Sequence, residues 1–402
     1  MKLSTFRYAV INISYFACFC CIHAYAAVFL LDAGFSNTLI GINLALANIL
    51  SVVLQPIVAG LIDKKGRLTN RNAALFCTLS MIIGSLLLLF VKGNIAFVFV
   101  IYLIIYMIQM LYQPLLIALN FEYAKAGVKI YFGLARGLGS AGFAVTSAFI
   151  GGIVEARGVN VLMIASVIAL AVSAVFLYFF KKPVGSLEGP AEDPSDTSLS
   201  SLGPNNNIFD FIKVYPKFTV FVLGAVLLFF GHNAINDFFI QIITPLGGNE
   251  TTMGYAIFLA ALLELPTMAA IGLLMKKISC GMLLRIAGVF FLLKIIIITV
   301  ASSMTGVYIS EALQMCAYAV FIPASAYYVD EVMKPSDAVK GQAFVNCSIT
   351  LGGVFSNLIC GSVLDRKTPV AMLTIGAVVT LIGAVVVAFS VEKNLDKEPS
   401  GL

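Results

Sequence analysis

Twelve apolar runs of roughly twenty residues constrain the fold of this chain more than any other feature. An α-helix of that length crosses a bilayer, and a water-soluble domain of 402 residues could not bury so many of them. The predicted spans are 8–31, 38–62, 73–92, 95–120, 131–153, 159–180, 216–243, 252–275, 281–303, 306–330, 341–363 and 369–391. The sequence therefore predicts an all-α membrane protein with twelve transmembrane helices.

One long polar segment separates the sixth run from the seventh. It is rich in Pro, Gly, Ser and acidic residues, a composition typical of a disordered linker. We expect an N-terminal six-helix bundle over 1–180, a cytoplasmic linker over 181–215 and a C-terminal six-helix bundle over 216–391. Residues 392–402 are the expected cytoplasmic tail.

The two halves repeat one another at three corresponding places, six spans apart. The matching stretches are GFSNTLIG (34–41) with GGNETTMG (247–254), GLIDKK (60–65) with GLLMKK (272–277), and GGIVEAR (151–157) with GSVLDRK (361–367). Three matches in the same order indicate an internal duplication. Two parallel six-span halves are typical of the major facilitator fold, in which the substrate site lies between the halves.

The distribution of basic residues predicts the orientation of the spans. If the N-terminus is inside, 19 of the 25 lysines and arginines fall in cytoplasmic segments. We therefore expect both termini to be cytoplasmic, with the protein in the inner (plasma) membrane of the cell. The net charge of +5 is spread over many loops and gives no support for a nucleic-acid partner.

Several polar residues inside the spans are candidates for contact with a solute. The candidates from the residues alone are His23, Tyr25, Tyr106, Gln109 and Asn236. Tyr106 and Gln109 share one face of the fourth predicted helix, and phenols and amides on one face suit hydroxyl-rich ligands. Hydrogen bonds between helices explain the same pattern equally well.

Charged residues inside the spans are the strongest candidates. Arg136 lies in YFGLARGLGSAGF (131–143), where an arginine costs about 2.5–3.5 kcal/mol to insert and so needs a partner or a task. The same stretch contains a G-x-G-x-x-G pattern, but no strand precedes it, which excludes a dinucleotide site. Asp237, Glu311 and Lys294 lie at similar depths, so they form either a proton-coupling network or a structural ion pair.

The chain resembles the oligosaccharide/proton symporter branch of the major facilitator superfamily, the branch of lactose permease. The resemblance lies in YFGLARGLGSAGF, in the LQP and D-K-x-G stretch around the second span, and in LELP of the eighth span. It implies that Arg136 pairs with Glu122 and binds sugar hydroxyls. It also implies that Phe143 stacks on the sugar ring and that Glu264 joins sugar binding to proton movement.

The chain departs from that pattern in several ways. Gln314 and Ala317 occupy the positions of the family's histidine and proton-bearing glutamate in span 10, and span 11 lacks its lysine. The loop after span 2 resembles the superfamily's signature loop and predicts a cytoplasmic gating latch. Its predicted members are Asp63, Gly66 and Arg67.

These observations predict a secondary active transporter that imports a small polar solute by alternating access. A sugar or oligosaccharide with proton symport is the expected cargo and coupling; the alternatives are a nucleoside or other small-solute carrier, a uniporter, and, less favoured, a drug exporter. An enzyme is not expected, because no nucleophile–base pair, metal cluster or phosphate loop is present. We expect a monomer without cofactor or metal, whose partners are the solute, the proton and the lipid bilayer.

Overall fold

The computed structural model describes residues 3–63, 68–91, 93–128, 130–181 and 208–391. Within these ranges the chain is helical and contains no strand. Twelve of the described helices are long and apolar enough to cross a membrane. Each coincides with one of the predicted spans, so the predicted fold class is confirmed.

Six of these helices, which we number α1 to α6, form the N-terminal half. They are α1 (Leu3–Ala24), α2 (Asn37–Asp63), α3 (Asn70–Phe90), α4 (Ile95–Lys125), α5 (Phe132–Arg157) and α6 (Asn160–Phe179). The last turn of α1, Cys20–Ala24, is a π-helix, and a short helix, Ala26–Asp32, continues it.

The other six, α7 to α12, form the C-terminal half. They are α7 (Pro216–Asp237), α8 (Glu250–Leu274), α9 (Cys280–Thr299), α10 (Met304–Val332), α11 (Pro335–Leu364) and α12 (Pro369–Ser390). A short helix, Ile208–Val214, precedes α7, and a 3₁₀ turn, Leu313–Met315, interrupts α10. Most of the predicted linker (182–207) and the predicted tail (392–402) lie outside the described residues.

Side-chain caps fix where several of these helices begin. The Asn94 side chain accepts hydrogen bonds from the first backbone N–H groups of α4, and the Thr368 side chain does the same for α12. At the start of α8, Asn249 and Thr252 cap each other's backbone N–H reciprocally. Such caps satisfy donors that would otherwise be unpaired at a helix start, so the apolar runs begin at defined positions.

The helices have two ends, because successive spans run in opposite directions. We call the end where α1 begins and α6 ends the linker end; there the Tyr123 hydroxyl donates to the Phe180 carbonyl at 2.6 Å, and Arg7 Nη1 donates to the Phe179 carbonyl at 3.0 Å. The opposite end carries the turns after α1, α5, α7 and α11.

At the opposite end the two halves pack backbone against backbone through glycines. A methyl group added at Gly41 of α2 would overlap the carbonyl oxygen of Asn357 of α11, and one added at Gly254 of α8 would overlap that of Ser147 of α5. Gly41 and Gly254 correspond in the internal repeat. The α2–α11 and α5–α8 pairs therefore close the opposite end in the same way.

Two carboxylates fasten these helix pairs, and they too correspond in the repeat. Asp365, just after α11, accepts hydrogen bonds from the Asn37 and Thr38 backbone N–H groups at 2.9 and 2.8 Å. Glu155, near the end of α5, accepts from Asn249 Nδ2 at 2.9 Å and from the Thr251 hydroxyl. Each carboxylate thus holds the start of a helix that belongs to the other half.

The Asp365 contact is built to persist at acidic pH. Slight desolvation of this exposed carboxyl opposes ionisation, but the hydrogen bonds from Thr38 and Asn37 outweigh it and lower the pKa of Asp365 below its usual value. A carboxyl whose pKa is lowered in the closed structure stabilises closure at every pH above its ordinary pKa. That stabilisation is lost only as the pH falls through the lowered value.

Toward the linker end, glycines of the same helices lie beside open space. No neighbouring atom of the described chain lies within 4 Å of a Cβ built on Gly60 of α2, Gly137 of α5 or Gly272 of α8. Gly60 and Gly272 again correspond in the repeat. The halves are therefore in tight backbone contact at the opposite end, whereas these glycines of α2, α5 and α8 meet open space toward the linker end.

Candidate functional site

Arg136 stands on α5 where the two halves face each other. Its Nη1 donates a hydrogen bond to the Ser140 hydroxyl at 3.0 Å, and its guanidinium lies 4.1 Å from the centre of the Phe16 ring. The cation–π contact and the hydrogen bond fix the orientation of the planar group. Tyr318 of α10, in the other half, lies near Arg136.

The predicted ion pair between Arg136 and Glu122 is not formed. Glu122 instead accepts a hydrogen bond from Asn70 Nδ2 at 3.1 Å, and Arg136 is in no ion pair with another described residue. The reason is position, since Glu122 lies near the linker end of α4, beside the start of α3. A guanidinium has five N–H donors, so Arg136 retains donors beyond the one given to Ser140.

Aromatic rings extend from Arg136 along the N-terminal half. The His23 ring stacks between Phe19 and Tyr106, with ring centres 4.4 and 4.8 Å away, and His23 Nε2 lies 3.4 Å from the Tyr106 hydroxyl. Phe143 is half-buried, and its ring centre lies 6.2 Å from that of Phe19. His23 Nδ1 is buried without a hydrogen-bond partner. Three predicted substrate-binding residues, His23, Tyr106 and Phe143, therefore lie together.

Tyr25 and Gln109, two other predicted substrate-binding residues, take part in helix packing. The buried Tyr25 hydroxyl donates to the Glu250 carbonyl at 3.3 Å, which makes it part of the closure at the opposite end. Gln109 is fully buried between α1 and α4, with its Nε2 3.7 Å from Cys18 Sγ. The position of Gln109 thus agrees with the alternative in which polar residues on this face bond to a neighbouring helix and do not contact a solute.

The C-terminal half carries a matching stack. The His232 ring of α7 lies parallel to that of Tyr318 of α10, at 5.2 Å and 12°, and Asn236 Nδ2 lies 2.9 Å from His232 Nε2. The N-terminal stack likewise joins a histidine of α1 to a tyrosine of α4. Sequence reasoning missed Tyr318, although this correspondence between the halves could have indicated it.

A buried charge network lies between α9 and α10. Lys294 Nζ is 3.2 Å from a Glu311 oxygen and donates to Gln314 Oε1 at 2.6 Å. The predicted proximity of Lys294 and Glu311 is thus confirmed. The half-buried Glu264 of α8 borders this network, with Gln314 and Lys294 as neighbours.

Asp237 is not part of that network, contrary to the grouping predicted from depth alone. Its neighbour is Asn357 of α11. Depth along a helix is readable from sequence, but the direction a side chain faces depends on the helix's rotation in the bundle.

The structure does not describe the side chains of the predicted gating latch. The side chain of Asp63, at the end of α2, and the whole of Gly66 and Arg67 lie outside the described residues, so the gating latch stays a prediction. Among the described residues, no three His, Cys, Asp or Glu side chains group closely enough to hold a metal ion.

Solved structures with the same fold are transporters. The nucleoside transporter NupG matches with a TM-score of 0.80 and 16% identity over 98% of this chain and 100% of that one. An auto-inhibited POT family peptide transporter matches with a TM-score of 0.76 and 10% identity over 99% of both chains. PepTSo, also of the POT family, matches with a TM-score of 0.74 and 11% identity over 97% of this chain and 98% of its own.

Sequence comparison identifies the family of the chain. No curated protein matches it significantly. The model of one family, described as the MFS_1 like family, matches residues 5–375, nearly the whole of the chain. Together with the twelve helices and the fold shared with solved transporters, this match shows that the chain belongs to the MFS_1 like family.

Proposed function

We propose that this chain is a secondary transporter that carries a sugar or oligosaccharide between its halves by alternating access, in symport with a proton. The linker end is the proposed cytoplasmic end, in the inner (plasma) membrane, and the protein works as a monomer of two six-helix bundles. In that orientation the structure is the inward-open state. Asp63, Gly66 and Arg67 are the proposed latch that closes the cytoplasmic side in the other state.

The observation that carries this proposal is the setting of Arg136. A charged group at this depth is costly and is retained where it has a task. Arg136 has no carboxylate partner among the described residues, while Ser140 and Phe16 hold its plane in place. Its remaining donors suit a ligand rich in oxygen acceptors, such as adjacent sugar hydroxyls.

The rings beside Arg136 supply the second half of sugar recognition. Sugar rings present an apolar face that packs on aromatic side chains, while their hydroxyls bond to polar groups. The half-buried Phe143 offers such a face in the N-terminal half, and the half-buried Tyr318, stacked on His232, offers one in the C-terminal half. A solute bound between these walls contacts both halves, as alternating access requires.

Phe143 gives a prediction for affinity. Phe143→Ala should raise the half-saturating solute concentration about tenfold, because aromatic contacts contribute about 0.5–1.5 kcal/mol beyond their buried area. Phe143→Tyr should bind like the parent, since it keeps the ring face. Binding by the purified protein, followed by isothermal titration calorimetry, measures both variants. Equal affinity of the alanine variant and the parent would remove Phe143 from the site.

A nucleoside is the second candidate solute. The half-buried Tyr318 ring and the nearby amide of Asn236 suit a flat, hydrogen-bonding base as well as they suit a sugar. The similarity to a nucleoside transporter, which is a similarity of fold, agrees with this alternative. Both candidates carry a hydroxylated ring that Arg136 could bind.

Uptake by proteoliposomes separates the candidates. Radiolabelled mono- and disaccharides and nucleosides should be offered with and without an imposed proton gradient, with protein-free liposomes as the control. The proposal predicts gradient-driven accumulation of at least one saccharide. Accumulation of nucleosides alone would establish the second candidate, and transport of neither class would overturn both.

Glu264 is the proposed coupling carboxyl, because it borders both Tyr318 at the solute walls and the Lys294–Glu311 network. A carboxyl that changes between charged and neutral as a nearby cation moves can take up and release a proton. Glu264→Gln should therefore lose uphill accumulation, while exchange of labelled for unlabelled solute continues. Counterflow and gradient-driven uptake, measured in parallel, test this.

A Glu264→Gln variant that still concentrates solute like the parent would contradict the assignment. Glu311→Gln and Asp237→Asn are then the next variants to measure. Conversely, loss of both uptake and counterflow in Glu264→Gln would show that Glu264 is needed for solute binding itself. Uptake that is independent of external pH in the parent and in all variants would indicate a uniporter or a carrier coupled to another ion.

A further inference from the structure

A groove opens between α11 and α12 at the opposite end of the bundle, with a volume of about 630 Å³. Two basic residues of the turn that joins these helices, Arg366 and Lys367, lie at its rim. Apolar side chains line its wall below the rim, namely Val363 of α11 and Ala371 and Ile375 of α12. The groove therefore combines a positively charged rim with an apolar wall.

The groove borders the bilayer. Val370, Val378 and Ile382 of α12 are each more than half exposed, and the lining residue Thr374 shares their spacing of four residues. This spacing places the four side chains on one face of the helix. Because an exposed apolar face on a membrane-spanning helix meets lipid, a lipid molecule can reach the groove from the side.

No ion pair among the described residues balances the charge at the rim. Arg366 and Lys367 are both exposed, and neither is in an ion pair with another described residue. The neighbouring carboxylate, that of Asp365, accepts hydrogen bonds from the backbone N–H groups of Asn37 and Thr38 in the other half. The two positive charges at the rim are therefore available to an anion.

The internal repeat indicates that the second of these charges is not needed to close the opposite end. The turns after α5 and α11 correspond, and each supplies a carboxylate that fastens a helix of the other half. Arg366, however, stands where the N-terminal half has Ala156, and the lining residue Ser362 stands where it has Gly152. The added cation and hydroxyl thus belong to the groove and not to the closure that both halves share.

We propose that the groove binds one anionic phospholipid. The lipid phosphate lies between Arg366 and Lys367, and one acyl chain follows the apolar wall as far as Ile375. At 1.5 Å per residue, that wall continues about 9 Å below the start of α12, which is deep enough to hold the first carbons of an acyl chain.

The chemistry of the groove favours a lipid of net negative charge. Guanidinium and ammonium groups both bind phosphate, and a guanidinium can bond two of its oxygens. A zwitterionic phospholipid would bring its own cation close to Arg366 and Lys367, whereas phosphatidylglycerol would not. A free phosphate ion would match the rim but would make no contact with the apolar wall.

This inference does not depend on the proposed transport function. The groove is built from two helices of one half, and none of its lining residues belongs to the solute site around Arg136. Lipid binding can therefore be measured without any solute, and either proposal can fail while the other stands.

A lipid titration of the purified full-length protein in detergent, followed by native mass spectrometry, tests the inference. Phosphatidylglycerol and phosphatidylcholine with the same acyl chains are the probes, and the parent should bind one phosphatidylglycerol in preference. A basic residue near an anionic lipid contributes about fivefold in affinity. Arg366→Gln should therefore weaken phosphatidylglycerol binding about fivefold, and Arg366→Gln with Lys367→Gln about 25-fold.

Two further variants and a competitor serve as controls. Arg157→Gln removes an exposed cation from the corresponding turn after α5 and should bind phosphatidylglycerol like the parent. Ala371→Leu fills part of the apolar wall without a change in charge and should weaken lipid binding several-fold. Glycerol phosphate, which carries the phosphate but no acyl chain, should not displace the lipid at equal concentration.

The inference is overturned if the double variant binds phosphatidylglycerol like the parent, or if Arg157→Gln loses as much affinity as Arg366→Gln. Equal affinity for phosphatidylcholine would overturn the selectivity for an anionic lipid. Displacement of the lipid by glycerol phosphate at equal concentration, with no effect of Ala371→Leu, would make the groove a site for a free anion. Selective phosphatidylglycerol binding by a protein that transports no solute would overturn the proposed function alone.

Discussion

Replacing Arg136 with lysine should lower solute uptake about 100-fold while the protein still folds and inserts. Lysine keeps the positive charge but loses the planar fork that can bond two adjacent hydroxyls. Hydrogen bonds to charged groups contribute about 1.5–3 kcal/mol each, so the loss of one or two corresponds to about two orders of magnitude. The initial uptake rate in proteoliposomes, normalised to the amount of reconstituted protein, measures the effect.

The matched control lies on the same helix. Arg157 is exposed at the other end of α5, and Arg157→Lys makes the same chemical change away from the solute space. We expect the control to transport like the parent. Parental uptake by Arg136→Lys would reduce Arg136 to a structural role and would remove the main support for the site.

Leucine at Gly41 and Gly254 should hold the opposite end open and abolish net transport. At each position a side chain would have to occupy the space of a backbone carbonyl in the other half, at Asn357 and Ser147 respectively. Backbone cannot yield as a flexible side chain can, so the halves must separate there. Because the two glycines correspond in the repeat, the double variant blocks both helix pairs that form the closure.

The same two helices provide the control. Gly60 on α2 and Gly272 on α8 also correspond in the repeat, but a Cβ on either meets open space. Gly60→Leu with Gly272→Leu should therefore leave closure intact at the opposite end. A cysteine placed at position 40 or 253, both buried near the closure, reports the difference through its rate of reaction with an impermeant maleimide. Equal rates in both double variants would contradict the role given to the glycines.

Much of the fold was predictable because the length and apolar composition of each run can be read directly along the sequence. Run length and apolar composition identify a span without knowledge of its neighbours, and all twelve were found in this way. The structure also gives the repeat a role that the sequence alone did not predict. Glu155 and Asp365 occupy matching positions in GGIVEAR and GSVLDRK, and the structure shows both fastening the start of a helix from the other half.

The site was less predictable because it depends on rotation about each helix axis. Spans that are apolar on every side give little indication of which face meets the other half. Asp237 was grouped with Lys294 by depth, yet it faces Asn357. Glu122 was paired with Arg136 by resemblance, yet the helices place it beside Asn70. Tyr318 escaped notice because tyrosine is common in spans, and only its stacking on His232 distinguishes it.

In alternating access the two halves close around a solute first at one end and then at the other. Spin labels at positions 157 and 367 report the opposite end, and labels at 131 and 276 report the linker end, since all four positions are exposed. The half-buried Cys316 and Cys347 are replaced by serine so that labelling is confined to these sites. The distances between the paired spin labels are measured in liposomes by pulsed electron–electron double resonance, with and without the transported solute.

We expect solute to lengthen the distance at the opposite end and to shorten the distance at the linker end in the same fraction of molecules. The Arg136→Lys variant, labelled in the same way, should show no such response to solute. Distances that stay fixed at both ends during solute transport, or that lengthen at both ends together, would contradict alternating access in this protein.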